Sequence, residues 1–187
     1  QPFGGEGLSG TGPKAGGPHY LPRFTKPEAA TVDGTWDGQA DISALRHALA
    51  NAVVPPARTA TDLPGPTGES NRHRLSPRGP ILCLGPTAEA AKAQVAAVAS
   101  LGGVGVAASG QVDPSALNQL GDISGVIWWG GADTARKLEA ALAQRDGPIV
   151  ALVTAMPDTA HVMQERHVCI DTTAAGGNAA LLAQIGA

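Results

Sequence analysis

The stretch PRGPILCLGPTAEAAKAQVAAVAS, residues 77–100, decides the fold. It begins with a short apolar run at residues 81–84, which ends at the turn Gly85-Pro86-Thr87 and is followed by an alanine-rich segment. A continuous apolar run bounded by turn residues is typical of a strand buried on both faces, and alanine is the strongest helix former. The stretch therefore predicts a buried strand followed directly by a helix, which is the repeating step of an α/β fold.

The same alternation continues through the second half of the sequence. We predict further strands at residues 103–108, 125–129, 148–153 and 168–171, and helices at residues 114–120 and 133–144. Apolar strands that alternate with helices indicate a parallel sheet with helices on both faces and right-handed crossovers. The predicted fold is therefore a Rossmann-like α/β unit. The adjacent Trp128 and Trp129 should face opposite sides of its sheet, either both in the core or with one of them anchoring an interface.

The turns of this unit lack the features of a dinucleotide site. The first strand–helix turn has one glycine, Gly85, where the dinucleotide fingerprint has three. Pro86 removes a backbone N–H that a phosphate would need, and Glu89 places a negative charge at the same helix N-terminus. At the turn of residues 130–133, Asp133 is better explained as a helix N-cap. We therefore predict the Rossmann architecture without a bound cofactor.

Residues 25–78 are predicted to be a linker that carries one helix, at residues 41–54. Asp41 is a suitable N-cap, Pro55 and Pro56 end the pattern, and residues 57–78 are predicted to be a loop. The apolar residues at helical spacing are Ile42, Leu45, Leu49 and Val53.

Composition and charge exclude several classes of protein. The chain has 187 residues with a net charge of −3, and it has no run of like charges that would suggest a nucleic-acid surface. The basic residues Arg72, His73, Arg74 and Arg78 are predicted to form a solvated or interdomain face. No apolar stretch approaches the roughly 18 residues of a membrane-spanning helix. We expect a cytoplasmic protein, and the sequence leaves open whether a longer parent associates peripherally with membranes.

The two cysteines do not suggest a catalytic or metal site. Cys83 and Cys169 each lie within an apolar run, as expected for small buried side chains in a reducing compartment. A buried thiol is a poor nucleophile, and neither cysteine has histidines or another cysteine at the spacing of metal ligands. We therefore predict no catalytic residue and no metal site in this chain.

The first 24 residues are rich in glycine and have few side chains that could form a core. Residues 5–10, GEGLSG, match the pattern G-x-G-x-x-G, but a proline and a phenylalanine precede them and more glycine follows, so they are not a phosphate-binding loop. Either this segment is a flexible linker or it lies against something larger. Phe3 beside Pro2 favours the second interpretation. Because the chain begins with Gln1, we expect it to be a fragment.

Several motifs together resemble a known family. QPFGG (residues 1–5) and SGTGPKAGGP (residues 9–18) resemble the C-terminal signature of NAD-dependent aldehyde dehydrogenases that oxidise L-glutamate γ-semialdehyde. LPGPTGESN (residues 63–71), PRGPILCLGPTAEAA (residues 77–91) and HVCIDTTAAGGNAALL (residues 167–182) resemble segments of proline utilization A, which joins that enzyme to proline dehydrogenase. The chain thus resembles the C-terminal part of this bifunctional family.

The resemblance implies a division of the chain. Residues 1–24 would be the tail of an aldehyde dehydrogenase catalytic domain, and residues 25–78 the linker. Residues 79–166 would be a degenerate, non-catalytic domain of the aldehyde dehydrogenase superfamily, and residues 167–187 a docking tail that helps to close a substrate tunnel. Phe3 would line the aldehyde pocket. The lid residues would be Asp171, Thr172, Thr173, Gly176, Gly177 and Asn178.

The resemblance also implies cofactors and partners for the parent protein. NAD would bind the upstream dehydrogenase domain and FAD the proline dehydrogenase domain, with no cofactor bound by this chain alone. The catalytic cysteine and glutamate would precede residue 1, and the parent would be a homo-oligomer. The alternative is a stand-alone Rossmann-like module without catalytic activity that serves in interactions, or a nucleotide-binding protein.

Overall fold

Two sheets organise the protein. The computed structural model describes residues 2–171 and residue 184, and in these residues a four-stranded sheet lies beside a three-stranded sheet. The strands are β1 Thr61–Leu63, β2 Glu69–Pro77, β3 Ile81–Cys83, β4 Gly105–Ala107, β5 Gly125–Ile127, β6 Ala151–Val153 and β7 Met163–Asp171. The α-helices are α1 Ile42–Ala50, α2 Ala88–Ser100, α3 Ala132–Leu142 and α4 Thr159–Val162, and 3₁₀ helices span Leu21–Phe24 and Pro114–Gln119.

The four-stranded sheet is parallel and has the order β4-β3-β5-β6. Alternate residues of its strands enter two separate cores. Leu82 and Val126 pack with α1, α3 and the second 3₁₀ helix on one face, whereas Cys83 and Ile127 pack with α2 and α4 on the other. A parallel sheet buried on both faces by helices confirms the predicted Rossmann-like α/β fold.

Side-chain caps fix where two of the helices begin. Thr87 accepts a hydrogen bond from Ala90 N at 3.2 Å and starts α2, and Asp41 accepts one from Ala44 N at 3.0 Å and starts α1. Helix α1 ends at Ala50 rather than at residue 54, so Val53 lies outside it and is exposed. The helix predicted at residues 133–144 is present as α3, but its N-cap is Gly131 and the predicted N-cap Asp133 lies within the first turn.

The second sheet was not expected. Residues 57–78 were predicted to be a loop, but they contain β1 and β2. The strand predicted at residues 168–171 is part of β7, which pairs antiparallel with β2 from Met163 to Asp171 instead of extending the parallel sheet. The pairing joins residues of the predicted linker to residues of the predicted tail. The boundaries proposed for the four segments remain predictions.

The alternation of β2 divides the predicted basic face. Arg72 and Arg74 point to solvent, while His73 between them is buried. Arg78 follows the strand and is half-buried, with its guanidinium 3.4 Å from the carboxylate of Glu6. The prediction of one solvated face is therefore wrong for His73, because strand side chains alternate between the two faces, whereas Arg78 contacts Glu6 and Thr11 of the glycine-rich segment.

Trp128 and Trp129 follow β5 and lie on opposite faces, as predicted. Trp129 is buried with the α2 face, and its indole N–H donates to Ala155 O at 3.0 Å. Trp128 is only half-buried on the α3 face, and its indole N–H donates to Gly131 O at 3.1 Å. Trp129 is thus a core residue, whereas part of the Trp128 ring remains accessible.

Candidate functional site

The sheet places one crevice where parallel sheets usually bind ligands. In an open α/β sheet, ligands bind outside the carboxyl ends of the strands, at the point where the strand order reverses. Here β4 lies on one side of β3 and β5 lies on the other, so the reversal falls between β3 and β5. Residues that follow these strands line the crevice: Leu84 and Pro86 after β3, and Trp128 and Gly131 after β5.

The turn after β3 is closed to a phosphate. Gly85 has φ of +56°, and its N–H donates to Gln94 Oε1 at 2.9 Å. Gln94 is fully buried in α2, so this backbone donor is already bound inside the protein. The next residue, Pro86, has no N–H. The turn therefore lacks the free backbone donors with which a glycine-rich loop binds a pyrophosphate.

The crevice itself is a cavity of about 310 Å³ without a charged residue in its lining. Its walls include Trp36, Pro86, Gln111, Trp128, Gly131 and Thr134. Three other cavities, of about 350, 330 and 400 Å³, are each lined by at least one charged residue. The crevice is thus a neutral site at the position where a Rossmann fold would hold a charged cofactor.

Both indole rings in the crevice are held by hydrogen bonds to the backbone. Trp36 Nε1 donates to Leu84 O at 2.9 Å, and Trp128 Nε1 donates to Gly131 O at 3.1 Å. Sequence reasoning did not identify Trp36. The sequence offered one indication of its role. Trp36 is the single aromatic residue in the polar, turn-rich residues 25–38, where it has no packing partner nearby in the sequence.

The glycine-rich segment folds as a small hairpin against the rest of this chain. Phe3 pairs with Ala15 and Glu6 pairs with Thr11 in antiparallel bridges. Gly7 O accepts a hydrogen bond from Ile149 N at 2.8 Å, which ties the hairpin to the loop before β6. The sequence GEGLSG therefore forms part of this N-terminal hairpin, at a distance from any helix N-terminus that could make it a phosphate loop.

A buried carboxylate joins the N-terminal hairpin to the antiparallel sheet. Glu165 of β7 accepts a hydrogen bond from Lys14 N at 2.6 Å and lies 3.1 Å from His73 Nε2, and its side chain is 2% exposed. The ring of His19 stacks at a tilt beside His73, with 6.1 Å between the ring centroids. Opposite His73 across the strands, His167 has a buried Nε2 without a hydrogen-bond partner in the described residues.

The predicted site residues lie apart from the crevice. Phe3 belongs to the N-terminal hairpin, and its side chain is 82% exposed. Asp171 is the last residue of β7 and lies opposite Glu69. The other predicted lid residues lie outside the described residues. They are Thr172, Thr173, Gly176, Gly177 and Asn178.

The cysteines have different environments. Cys83 is buried in β3, and burial raises the pKa of its thiol to about 12, so it is not a nucleophile at neutral pH. Cys169 is half-buried instead of fully buried as predicted, because it lies in the outer strand of the antiparallel sheet. In the described part of the chain, no group of three or more His, Cys, Asp or Glu residues is arranged to hold a metal ion. Among the same residues, no helix combines the length and the hydropathy needed to span a bilayer.

Comparison with known proteins identifies the family. No family model matches the chain. The bifunctional protein PutA of Escherichia coli is 34% identical over 97% of the chain, that of Salmonella typhimurium is 33% identical over 97%, and that of Rhizobium meliloti is 32% identical over 98%. The chain is homologous to a segment of PutA. The resemblance seen in the motifs is thereby confirmed, and the chain spans 18% of the length of each of these PutA relatives.

Solved PutA structures are also similar to the chain. A variant of proline utilization A from Bradyrhizobium japonicum aligns with 59% of this chain and 14% of its own, with 27% identity and a TM-score of 0.41. PutA from Corynebacterium freiburgense aligns with 90% of this chain and 18% of its own, with 18% identity and a TM-score of 0.44.

Proposed function

We propose that this chain is the C-terminal, non-catalytic part of a bifunctional proline-catabolic enzyme. The parent would oxidise proline with FAD and then oxidise L-glutamate γ-semialdehyde to glutamate with NAD⁺. The observation that carries this proposal is the 34% identity to a bifunctional PutA along 97% of the chain. The parent would be a cytoplasmic homo-oligomer in which this segment contacts the upstream dehydrogenase domains.

The role of the segment would be structural. An aldehyde dehydrogenase requires an activated cysteine and a cofactor-binding fold. In this chain, burial raises the pKa of the Cys83 thiol to about 12, and the N–H of Gly85 already donates a hydrogen bond to Gln94. The chain alone should therefore produce no NADH from γ-semialdehyde and NAD⁺, and calorimetry should detect no micromolar binding of NAD⁺. Measurable turnover would overturn the structural role, and micromolar NAD⁺ affinity would favour the nucleotide-binding alternative.

Phe3 would serve the upstream active site. Its ring is 82% exposed here, which supports a partner surface elsewhere in the parent. In the full-length parent, Phe3→Ala should raise KM for γ-semialdehyde several-fold, because the aliphatic part of the substrate loses an apolar wall. Phe24→Ala is a matched control, since Phe24 is 73% exposed and has no proposed contact with substrate. Equal KM values for the two variants would contradict this role.

We propose further that Asp171 and the residues after it act as a lid over the upstream dehydrogenase domain. Deletion of residues 174–187 from the full-length parent should then produce a lag in NADH formation from proline, or reduce the semialdehyde dehydrogenase activity. Both activities are measured with the same preparation, and the proline dehydrogenase rate alone is the control. Kinetics identical to those of the undeleted parent would remove the lid from the proposal.

A further inference from the structure

The crevice between β3 and β5 has the features of a ligand site that the proposed function does not use. It has a volume of about 310 Å³, at the lower end of the roughly 300–1,000 Å³ of small-molecule pockets. Its position is the one where open α/β sheets bind ligands. The lining is unlike that of a cofactor site, because it contains two tryptophans and no charged residue.

The walls favour a flat ring. Trp36 and Trp128 come from separate parts of the chain, and a backbone hydrogen bond fixes each indole. Since both indole N–H groups are already satisfied, the two tryptophans add apolar ring surface to the lining and no unpaired indole donor. Planar aromatic groups stack on such faces, with a gain beyond the area that they bury.

The remaining groups favour a ring with a polar edge. Gln111 and Thr134 line the same cavity, and their side chains make no hydrogen bond within residues 2–171. An amide can donate and accept, and a hydroxyl can do the same, so together they suit the mixed edge of a neutral heterocycle.

A phosphate is disfavoured at the same place. Pro86 offers no N–H, and the N–H of Gly85 is bound to Gln94. An anion entering the cavity would lose its hydration, and no cationic side chain lines the cavity to compensate for that loss. The cavity therefore selects against the phosphorylated part of a nucleotide.

We propose that this crevice binds an uncharged, flat heterocycle of the size of a nucleobase or nucleoside. The tryptophans would stack on the ring, and Gln111 and Thr134 would bind its polar edge. This site does not depend on the proposed function of the parent. It is also distinct from dinucleotide binding, because the neutral ligand should bind more tightly than its phosphorylated forms.

The test uses the complete 187-residue chain with adenosine as the probe, compared with AMP and NAD⁺. Binding is followed by quenching of tryptophan fluorescence excited at a wavelength that adenosine does not absorb, and by calorimetry. We expect saturable quenching by adenosine and affinity at least about tenfold weaker for AMP and NAD⁺. Absence of saturation at millimolar adenosine, or AMP binding as tightly as adenosine, would overturn the proposal.

A matched pair of glycine variants locates the site. A Cβ built at Gly131 or at Gly121 meets no atom within 4 Å, and Gly131 has φ of −60°, so both positions accept a side chain. Gly131→Leu should abolish binding by filling the mouth of the crevice, and Gly121→Leu should leave it unchanged. Thr134→Val, which keeps the shape of the side chain and removes its hydroxyl, should weaken the binding of adenosine several-fold. Equal binding by the two leucine variants would overturn the assignment of the site.

Discussion

The most informative perturbation is the replacement of Glu165 by leucine. Glu165 accepts a hydrogen bond from Lys14 N at 2.6 Å and faces His73 Nε2 at 3.1 Å, and its side chain is 2% exposed. Leucine has a similar volume but offers no acceptor. The change therefore removes the hydrogen bond that ties Lys14 of the N-terminal hairpin to β7 and the contact between β7 and His73 of β2, while leaving the packing nearly intact.

The magnitude follows from the groups left behind. A buried donor left without a partner costs about 1–3 kcal/mol. His73 is buried and bears the full cost, whereas Lys14 N is partly exposed and can bind water. We expect Glu165→Leu to lower the free energy of unfolding by about 3 kcal/mol. Glu165→Gln should cost about 1 kcal/mol, because an amide retains one acceptor and adds a donor.

The measurement is urea unfolding of the chain, followed by tryptophan fluorescence and circular dichroism. Glu139→Leu is the control, because Glu139 lies exposed on α3 and its replacement should change stability by no more than about 0.5 kcal/mol. Limited proteolysis provides a second signal, since the loss of Glu165 should speed cleavage within residues 2–17. If Glu165→Leu unfolds at the same urea concentration as Glu139→Leu, the buried carboxylate does not hold the hairpin and the reasoning fails.

Two further predictions concern pH and backbone strain. Burial lowers the pKa of His167 below its usual 6.5, so the unfolded chain binds protons more readily and stability falls as pH drops below about 6.5. His167→Gln should flatten this dependence in unfolding curves, whereas His47→Gln, at an exposed site, should leave it unchanged. Gly85 has φ of +56°, and an added Cβ would lie 2.4 Å from Thr87 O. Gly85→Ala should therefore destabilise the chain by more than about 2 kcal/mol in thermal unfolding, whereas Gly121→Ala should be neutral or slightly stabilising.

The parallel sheet was predictable because its strands follow a local rule. In β3 and β5 every residue is buried, so each strand appears in the sequence as a continuous apolar run. Helix α2 was predicted at its observed bounds because Thr87 and the alanine-rich segment are both local signals. Local signals were less reliable at helix ends, since α1 ends at Ala50 and the N-cap of α3 is Gly131.

The antiparallel sheet was not predictable by the same rule, because polar residues fill its buried positions. Asn71, His73 and Glu165 are buried, while Val168 and Ile170 are 59% and 46% exposed. The pattern of polarity is thus the reverse of that of an ordinary half-buried strand. Glu165 is satisfied by Lys14 N and by His73, and these partners lie far away in sequence and become neighbours only in the fold.

The crevice was missed for a related reason. Trp36 belongs to a stretch without periodicity, and only tertiary structure brings it to Leu84 O. The sequence alone indicates that Pro86 removes a backbone N–H from the turn after β3, but it did not reveal that Gln94 binds the N–H of Gly85. The cavity beside this turn could not be predicted, because its walls come from parts of the chain as distant as Trp36 and Thr134.

The position of β7 determines the order in which the molecule can be completed. Contacts from Glu165 reach back 92 residues to His73 and 151 residues to Lys14, whereas the parallel sheet lies entirely between β2 and β7. During synthesis on the ribosome, all four strands of the parallel sheet are complete before β7 is made, and only then can β2 and β7 pair. Contacts between residues so far apart in sequence form slowly, because the long intervening chain must first bring them together. The N-terminal hairpin is synthesised before β7, so its hydrogen bond from Lys14 N to Glu165 can form only after β7 has emerged.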